Sequence, residues 1–435
     1  MTATTARRAT LVAVVQAAVT VLCIPALILP DILPRWSITA SLVGLAWVPL
    51  LGLLVTRRPF ARTPVDVPLG LLLGLTVVNA LTTADGSTTF PHVLKWVAGI
   101  ALFYAIAGLL QATGWLRLSA WAVSLLGLAL VPFVLFGVNW SGAKFSWLPV
   151  TPRDLFPHLL RPFWKPEGYA GFNPNMAGGV LAMIAPVPLA RALFGRGARR
   201  GSGLATRLIN GLLALLIGMA LLLTQSRGAI LALLVAASVM LATRDGRWWV
   251  AACALLVTGA FVFQALGFEA GATLELTSDA ESAINSAAGR LELWSRAWSA
   301  LQDFPYTGIG LGMSNHIMPL RYPSFRISPT GITDHAHNLF FATGVEMGYP
   351  GLIGLLAFLF GLLGAQWQAC RRLVRARPRN GDALPLALGA LGSAVVYCVH
   401  GLTDHVTFYA RASLVAWVLL GVGMGVSLFT QKELP

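Results

Sequence analysis

Charge is scarce in this sequence: only 11% of its 435 residues are Asp, Glu, Lys or Arg, and 56% are hydrophobic. A water-soluble domain carries about a quarter charged residues, so the solvent for most of this chain must be lipid. Cysteine is scarce as well. Cys23, Cys253, Cys370 and Cys398 lie inside or at the ends of apolar runs without paired spacing, which supports neither a disulfide framework nor a cysteine metal site. There is no P-loop, and Gly308-Ile309-Gly310-Leu311-Gly312 does not follow a strand into a helix as a dinucleotide fingerprint does. No Asp-x-Asp pair is positioned for a metal, and no internal repeat or low-complexity tract is evident. Acidic residues number 17 against 31 basic ones, a net charge of +14. A basic total can signal nucleic acid, but these arginines sit between apolar runs rather than on one soluble face. They read as topology signals, and no nucleic-acid partner is expected.

Apolar runs of membrane-spanning length are plentiful. A bilayer core of ~30 Å needs roughly 20 apolar residues in a helix. Twelve stretches approach that length: 8–29, 38–55, 68–82, 93–110, 116–137, 175–194, 207–224, 228–243, 248–266, 338–366, 384–402 and 408–429, the third and eighth being short. The first follows Arg7 and Arg8 and exceeds the ~7–15 residues of a signal-peptide core, so it reads as an uncleaved span. The predicted fold is an all-α polytopic membrane protein of about twelve transmembrane helices. Residues 1–266 hold nine spans and an outer segment at about 138–174, 267–337 a large outer loop with an amphipathic helix, and 338–435 three further spans.

With the N-terminus inside, the cytoplasmic segments hold Arg7 and Arg8; Arg57, Arg58 and Arg62; Arg117; Arg191, Arg196, Arg199, Arg200 and Arg207; Arg244 and Arg247; Arg371, Arg372, Arg375, Arg377 and Arg379; and Lys432. These are 19 of the 31 basic residues, concentrated in short loops as the positive-inside rule requires. Two outer segments, about 138–174 and 267–334, are long, and loops of that length carry function or fold locally. In the second, Ser278-Asp279-Ala280-Glu281 has capping-box spacing. It opens a stripe of Ile284, Ala287, Leu291, Trp294, Trp298 and Leu301, which predicts an amphipathic helix across the mouth of the bundle, ended by Pro305 and the flexible glycine run.

An ionisable group at membrane depth costs roughly 2.5–3.5 kcal/mol on insertion scales, so each one needs a reason. Arg227 stands in Thr224-Gln225-Ser226-Arg227-Gly228, a tight outer turn between two spans, where it either snorkels to lipid phosphates or serves a site. Arg290, beside Glu292, belongs either to a solvated face of the amphipathic helix or to a site; Arg296 shares that helix. Asp334-His335-Ala336-His337-Asn338 falls where the large loop meets the tenth span, followed by Gly344, Glu346, Gly348 and Gly351. Histidines two residues apart do not share one helix face, which argues against the i, i+4 zinc arrangement. One histidine facing a site is expected rather than two ligands, with an interfacial cap as the alternative. His400, Asp404, His405 and Arg411 form a similar cluster between the last two spans, where capping and function stay equally open. On this topology His92, His158, His316, His335, His337, His400 and His405 all lie at the outer face. With Arg227 and Arg290 there too, a site for an anionic substrate is the economical inference. No nucleotide sugar or ATP is present outside, so an anabolic enzyme there needs a donor already activated on a lipid, a lipid diphosphate being the obvious case.

The residues also carry a family likeness. Ser226-Arg227-Gly228-Ala229-Ile230-Leu231, the Gly289-Arg290…Trp294 helix with Pro305…Gly308-Ile309-Gly310, and His335-Ala336-His337-Asn338…Glu346-Met347-Gly348…Gly351-Leu352 together resemble the O-antigen ligase and polymerase superfamily, as does Gly171-Phe172-Asn173-Pro174-Asn175 before the sixth span. The likeness runs over about 168–351 and extends to the architecture of about twelve spans with one large late loop. It implies a GT-C-like fold in the bacterial inner membrane, with a large helical periplasmic loop and a periplasmic active site. The activity implied is transfer of O-polysaccharide from undecaprenyl diphosphate to lipid A-core, without nucleotide, cofactor or metal. Arg227, with Leu231, and Arg290 map onto the family's arginines, and His337 onto its essential histidine. Two guanidiniums can hold a diphosphate bidentately and stabilise the leaving group, while a neutral His337 can take the acceptor's proton. His335, Glu346 and Asp404 are candidate supporting residues, Asp404 as a group that orients His337, although the sequence gives no contact. An O-antigen polymerase or a protein O-oligosaccharyltransferase would share the donor chemistry. A secondary transporter would show repeated halves, broken midplane helices or buried acidic residues instead.

Overall fold

The computed structural model describes residues 3–28, 33–138, 173–195, 202–265, 287–324, 336–376, 381–405 and 413–434. The capping-box segment 278–281, Ile284, and the candidates His158, His335 and Arg411 lie outside the described residues. The regular elements are helices: α1 (Ala3–Ile28), α2 (Arg35–Thr56), α3 (Asp66–Thr82), α4 (Gly86–Thr113), α5 (Leu116–Gly137), α6 (Pro174–Ile184), α7 (Pro186–Phe194) and α8 (Ser202–Leu223). They continue as α9 (Arg227–Arg244), α10 (Trp249–Ala265), α11 (Ala287–Asp303), α12 (Ser314–Arg321), α13 (Leu339–Ala376), α14 (Ala383–Gly401) and α15 (Ser413–Glu433).

Among the described residues ten helical stretches are long and apolar enough to cross a membrane, α6 and α7 counting as one, Pro174–Phe194. Two shorter apolar helices, Asp66–Thr82 and Gly246–Val257, fall at the third and ninth predicted stretches. At ~1.5 Å per residue, the 17 residues of α3 reach roughly 25 Å, less than a ~30 Å core. The chain is a polytopic all-α membrane protein, with ten candidate spans among the described residues where the sequence suggests about twelve.

The helices fall into two compact units. The first comprises Met1–Ala112, Phe268–Leu362 and Gly401–Gly421. Here α1 packs on α2, and Cys23, Ile24, Leu27 and Leu45 join Leu94, Ala98 and Leu102 of α4 in one apolar cluster. Phe103, Phe358 and Trp417 tie α4, α13 and α15 together, with ring centroids 5.6, 5.7 and 6.4 Å apart. Trp417 lies against Gly99, where any Cβ would come 2.2 Å from the indole nitrogen.

After α11 the chain turns at Pro305 into the glycine run, which is packed rather than free. Ile309 and Gly310 donate their N–H groups to the carbonyls of Val345 (2.7 Å) and Glu346 (3.2 Å). Those carbonyls are open for a sequence reason: Pro350 has no N–H for Glu346, and Tyr349 gives its own to Pro305 (2.7 Å) instead of Val345. Gly348, at φ 67° and ψ −172°, is the break in α13 that permits this exchange. On the other side, Leu311 N–H donates to Asn79 Oδ1 of α3 (2.8 Å), and its carbonyl accepts from Thr89 of α4 (2.9 Å).

The buried face of α11 is Leu293, Arg296, Ala297, Ala300 and Leu301, whereas Leu291 and Trp298 are 62% and 48% exposed. This corrects the predicted stripe by a rotation. Ala297 and Ala300 are small enough to let the helix approach Ile309, Met313 and Val345. Arg296 tolerates burial because its guanidinium donates to the carbonyls of Met318 (3.1 Å) and Tyr322.

The second unit comprises Thr113–Gly267, Leu363–His400 and Val422–Pro435. Gly127 of α5 sits against Ile184 and Ile217, and Gly389 and Gly392 of α14 sit against Val187 and Pro186. Arg191, expected among the cytoplasmic loop arginines, is instead 1% exposed inside α7. It pairs with Asp382 at 3.3 Å, lies 4.4 Å over the Trp121 ring, and donates to Asn210 Oδ1 at 3.4 Å. An arginine at this depth needs such partners, and it acts as a tie between helices rather than as a loop charge.

Candidate functional site

His337 stands two residues before α13 with φ 45°, a left-handed conformation that few non-glycine residues adopt. The next residue holds it there. Asn338 caps α13: its Oδ1 accepts from the N–H groups of Phe340 (2.9 Å) and Phe341 (3.1 Å). Its Nδ2 donates to the carbonyl of Leu402 (3.0 Å), which ties this cap to the turn after α14. That turn carries Asp404, whose Oδ1 lies 3.5 Å from His337 Nδ1 and 3.5 Å from His405 Nδ1, at ion-pair distance from both. Burial pushes the Asp404 carboxyl up, but the two imidazoles beside it, as donors and as charges, hold it well below the usual carboxylate range. The result is a buried carboxyl group at ion-pair distance from two histidines. Asn338 is the residue that sequence reasoning left without a role, although an Asn just before a helical run is a recognisable N-cap signal.

Arg290 lies in the same unit, half-buried on α11. Trp294, one turn further along the same face, donates its indole N–H to the carbonyl of Ala336 (3.1 Å), the residue before His337. Its ring also meets Phe341 at 6.1 Å. The face of α11 that bears Arg290 is thus fastened beside the histidine segment. Under α11 a cavity of about 20 Å³ is lined by Leu293, Arg296, Ser314, Met318 and Val345 among others. It holds about one water and cannot accept a sugar.

Glu346 is fully buried, and its Oε1 accepts from the Ser314 hydroxyl (2.9 Å). It lies roughly 10 Å further along α13 from the histidine end, at ~1.5 Å rise per residue, and its recorded contacts anchor the glycine run. Glu346 and the His337–Asp404 pair are therefore separate features of this unit. His92, also in this unit, packs its ring against Gly312, where a Cβ would come 2.4 Å from it.

Arg227 belongs to the second unit, as the first residue of α9. Its turn is closed by Gln225 at φ 52°, by Thr224 Oγ1 donating to Leu221 O (2.6 Å) and by Ser226 N–H donating to Thr224 Oγ1 (3.3 Å). Thr224, Gln225 and Ser226 are all buried. Gly178 of α6 makes room for them: a Cβ there would come 2.7 Å from Ser226 Cβ. The adjacent Gly179 does the same for the buried His400 ring, at 2.7 Å. Of the cluster predicted between the last two spans, His400 therefore sits in the second unit and Asp404 with His405 in the first. Among the described residues no group of three or more His, Cys, Asp or Glu side chains could hold a metal ion.

A family model described as O-Antigen ligase matches residues 212–356. No curated protein matches the sequence. The matched segment holds the Arg227 turn, α11 with Arg290, the glycine run, His337 and Glu346, while Asp404 and His405 lie beyond it. Over residues 212–356, about a third of the chain, this multi-pass membrane protein is thus similar to the O-antigen ligase domain.

Proposed function

We propose that the chain is an O-antigen ligase, moving O-polysaccharide from undecaprenyl diphosphate to a hydroxyl of lipid A-core at the periplasmic face of the bacterial inner membrane. The observation that carries this reading is the His337–Asp404 pair, 3.5 Å apart at the mouth of a membrane helix. An ionised carboxylate on Nδ1 favours the tautomer with the proton on that nitrogen, and Nε2 is then the free base. The acceptor oxygen attacks the anomeric carbon as Nε2 takes its proton. The bond from that carbon to the diphosphate oxygen breaks, undecaprenyl diphosphate leaves, and the configuration inverts.

Arg290, on the face of α11 fastened beside His337, supplies a guanidinium for the diphosphate. Its two-point geometry suits the charge that grows on the leaving group. Arg227, in the second unit, is proposed as a diphosphate-binding arginine from the family likeness alone, and an anion bound by it would also meet the N-terminus of α9. With guanidiniums in the place of a cation, the reaction is metal-independent, so EDTA should leave transfer intact; loss on chelation with rescue by Mg²⁺ or Mn²⁺ would overturn that part.

Deletion of the gene followed by a gel of lipopolysaccharide tests the assignment. Loss of smooth lipopolysaccharide with accumulation of lipid-linked polymer supports a ligase. A single-repeat product in place of the ladder means a polymerase, with another lipid-linked glycan as acceptor.

A further inference from the structure

The left-handed backbone of His337, at φ 45°, is held from both sides, and one of the two holds comes from α11. Such a backbone is unfavourable for a residue with a Cβ, so it persists only where its surroundings fix it. The angle φ is set by the peptide unit that carries the Ala336 carbonyl, relative to the peptide unit that follows His337. On the far side, Asn338 is fixed by its cap bonds to Phe340 and Phe341 and by its bond to the Leu402 carbonyl. On the near side, the indole N–H of Trp294 donates to the Ala336 carbonyl at 3.1 Å, and the ring is itself placed against Phe341 at 6.1 Å. Ala336 also packs on the apolar cluster of Ala297, Ile309 and Val345. Apolar packing has no direction and leaves a peptide unit free to turn, whereas a hydrogen bond sets where the carbonyl points.

We infer that Trp294 is a positioning residue for glycan transfer: its indole N–H fixes the peptide plane before His337 and so aims the imidazole at the acceptor hydroxyl. This rests on the proposed role of His337 as general base. Arg290, one turn earlier on the same helix face, does not depend on that bond. Its helix is seated by the buried Leu293, Ala297 and Ala300 and by Arg296 on the carbonyls of Met318 and Tyr322. Removing the N–H of Trp294 therefore releases the base and leaves the diphosphate-binding face of α11 in place. The proton-transfer step suffers, and donor binding does not. A misplacement of about 1 Å at a reacting group costs on the order of 10²-fold in rate, so a freed Ala336 peptide is felt in turnover even though the fold is kept.

The test is steady-state transfer by the purified full-length protein in lipid vesicles, with undecaprenyl diphosphate-linked glycan varied against saturating lipid A-core. Trp294→Phe keeps a ring and removes the donor. Trp294→benzothienylalanine, introduced by nonsense suppression, keeps the bicyclic shape with sulfur where the N–H stood. In both variants kcat should fall on the order of 10–100-fold while KM for the donor stays within about threefold. The melting temperature in detergent should stay within about 2 °C of wild type, as expected for the loss of one hydrogen bond. Wild-type kcat in either variant, or a raised donor KM with kcat unchanged, overturns the inference; an inactive His337→Ala in the same assay then leaves the base assignment standing. If His337→Ala transfers at near wild-type rate, the base assignment falls, and the inference with it. If neither Trp294 variant elutes as folded, monodisperse protein, Trp294 is a structural residue and the inference is wrong.

Discussion

Gly308→Ala probes the contact that seats the large loop on the broken helix. A Cβ on Gly308 would stand 2.3 Å from the carbonyl carbon of Glu346 and 2.5 Å from its oxygen and from the nitrogen of Met347. All three are backbone atoms, so no side chain can swing away. The chain can relieve the overlap only by lifting off α13, which forfeits the Ile309–Val345 and Gly310–Glu346 hydrogen bonds. Two such bonds are worth about 1 kcal/mol net each, an L-residue at φ 66° adds about 1 kcal/mol, and overpacking adds about 1–3 kcal/mol. Destabilisation of about 4–6 kcal/mol follows, which lowers the melting temperature by roughly 5 °C for a chain of this size. A fluorogenic thiol dye reads the transition in detergent, because Cys23 and Cys370 are buried until the protein unfolds; the exposed Cys253 is first replaced by Ser. Gly108→Ala is the control, since nothing lies within 4 Å of a Cβ there. If the Gly308 and Gly108 variants melt within about 1 °C of each other, a shift that corresponds to only about 1 kcal/mol, the glycine run is not seated as described.

Arg227→Lys and Arg290→Lys should each impair transfer, because an ammonium keeps the charge but not the planar two-point contact to a diphosphate; full activity in both would make these arginines structural or lipid-facing. Arg191→Leu strands Asp382, and the same dye assay should show a loss of about 3 kcal/mol, partly recovered when Asp382→Leu is added. An unchanged melting temperature in Arg191→Leu would mean that the pair contributes nothing. Orientation is read by cysteine labelling in a cysteine-free background. A Cys at Ser286 or Ser328 should react with a membrane-impermeant thiol reagent in cells with a permeabilised outer membrane, and a Cys at Ser202 should not; the reverse pattern would place the site in the cytoplasm.

The helices were legible because lipid imposes a simple demand, about 20 apolar residues per crossing, and α9 begins at the Arg227 that the sequence places in a turn. Three features were not legible, each for its own reason. Asp404 was already a candidate for orienting His337, but the contact itself was not legible, because Asp404 stands 67 residues after His337 and no local pattern says that the turn after α14 returns to the start of α13. The glycine run reads as a flexible linker because composition reports freedom in the unfolded chain. Its N–H groups are spent on carbonyls that Pro350 and Gly348 leave open on another helix. The face of α11 was misplaced because an apolar count ranks Leu291 and Trp298 above Ala297 and Ala300. Close packing favours the smaller pair, and carbonyl acceptors make room for Arg296.

The central claim is that His337 takes the acceptor's proton, and transfer by purified His337→Ala protein tests it most directly. Removing a general base typically costs ~10²–10⁴-fold in rate while substrate contacts stay largely in place. The variant should insert normally and still bind undecaprenyl diphosphate-linked glycan, yet make almost no capped lipopolysaccharide, and His335→Ala should be milder. Near wild-type transfer by His337→Ala, or greater sensitivity at His335, would contradict the assignment even with the family unchanged.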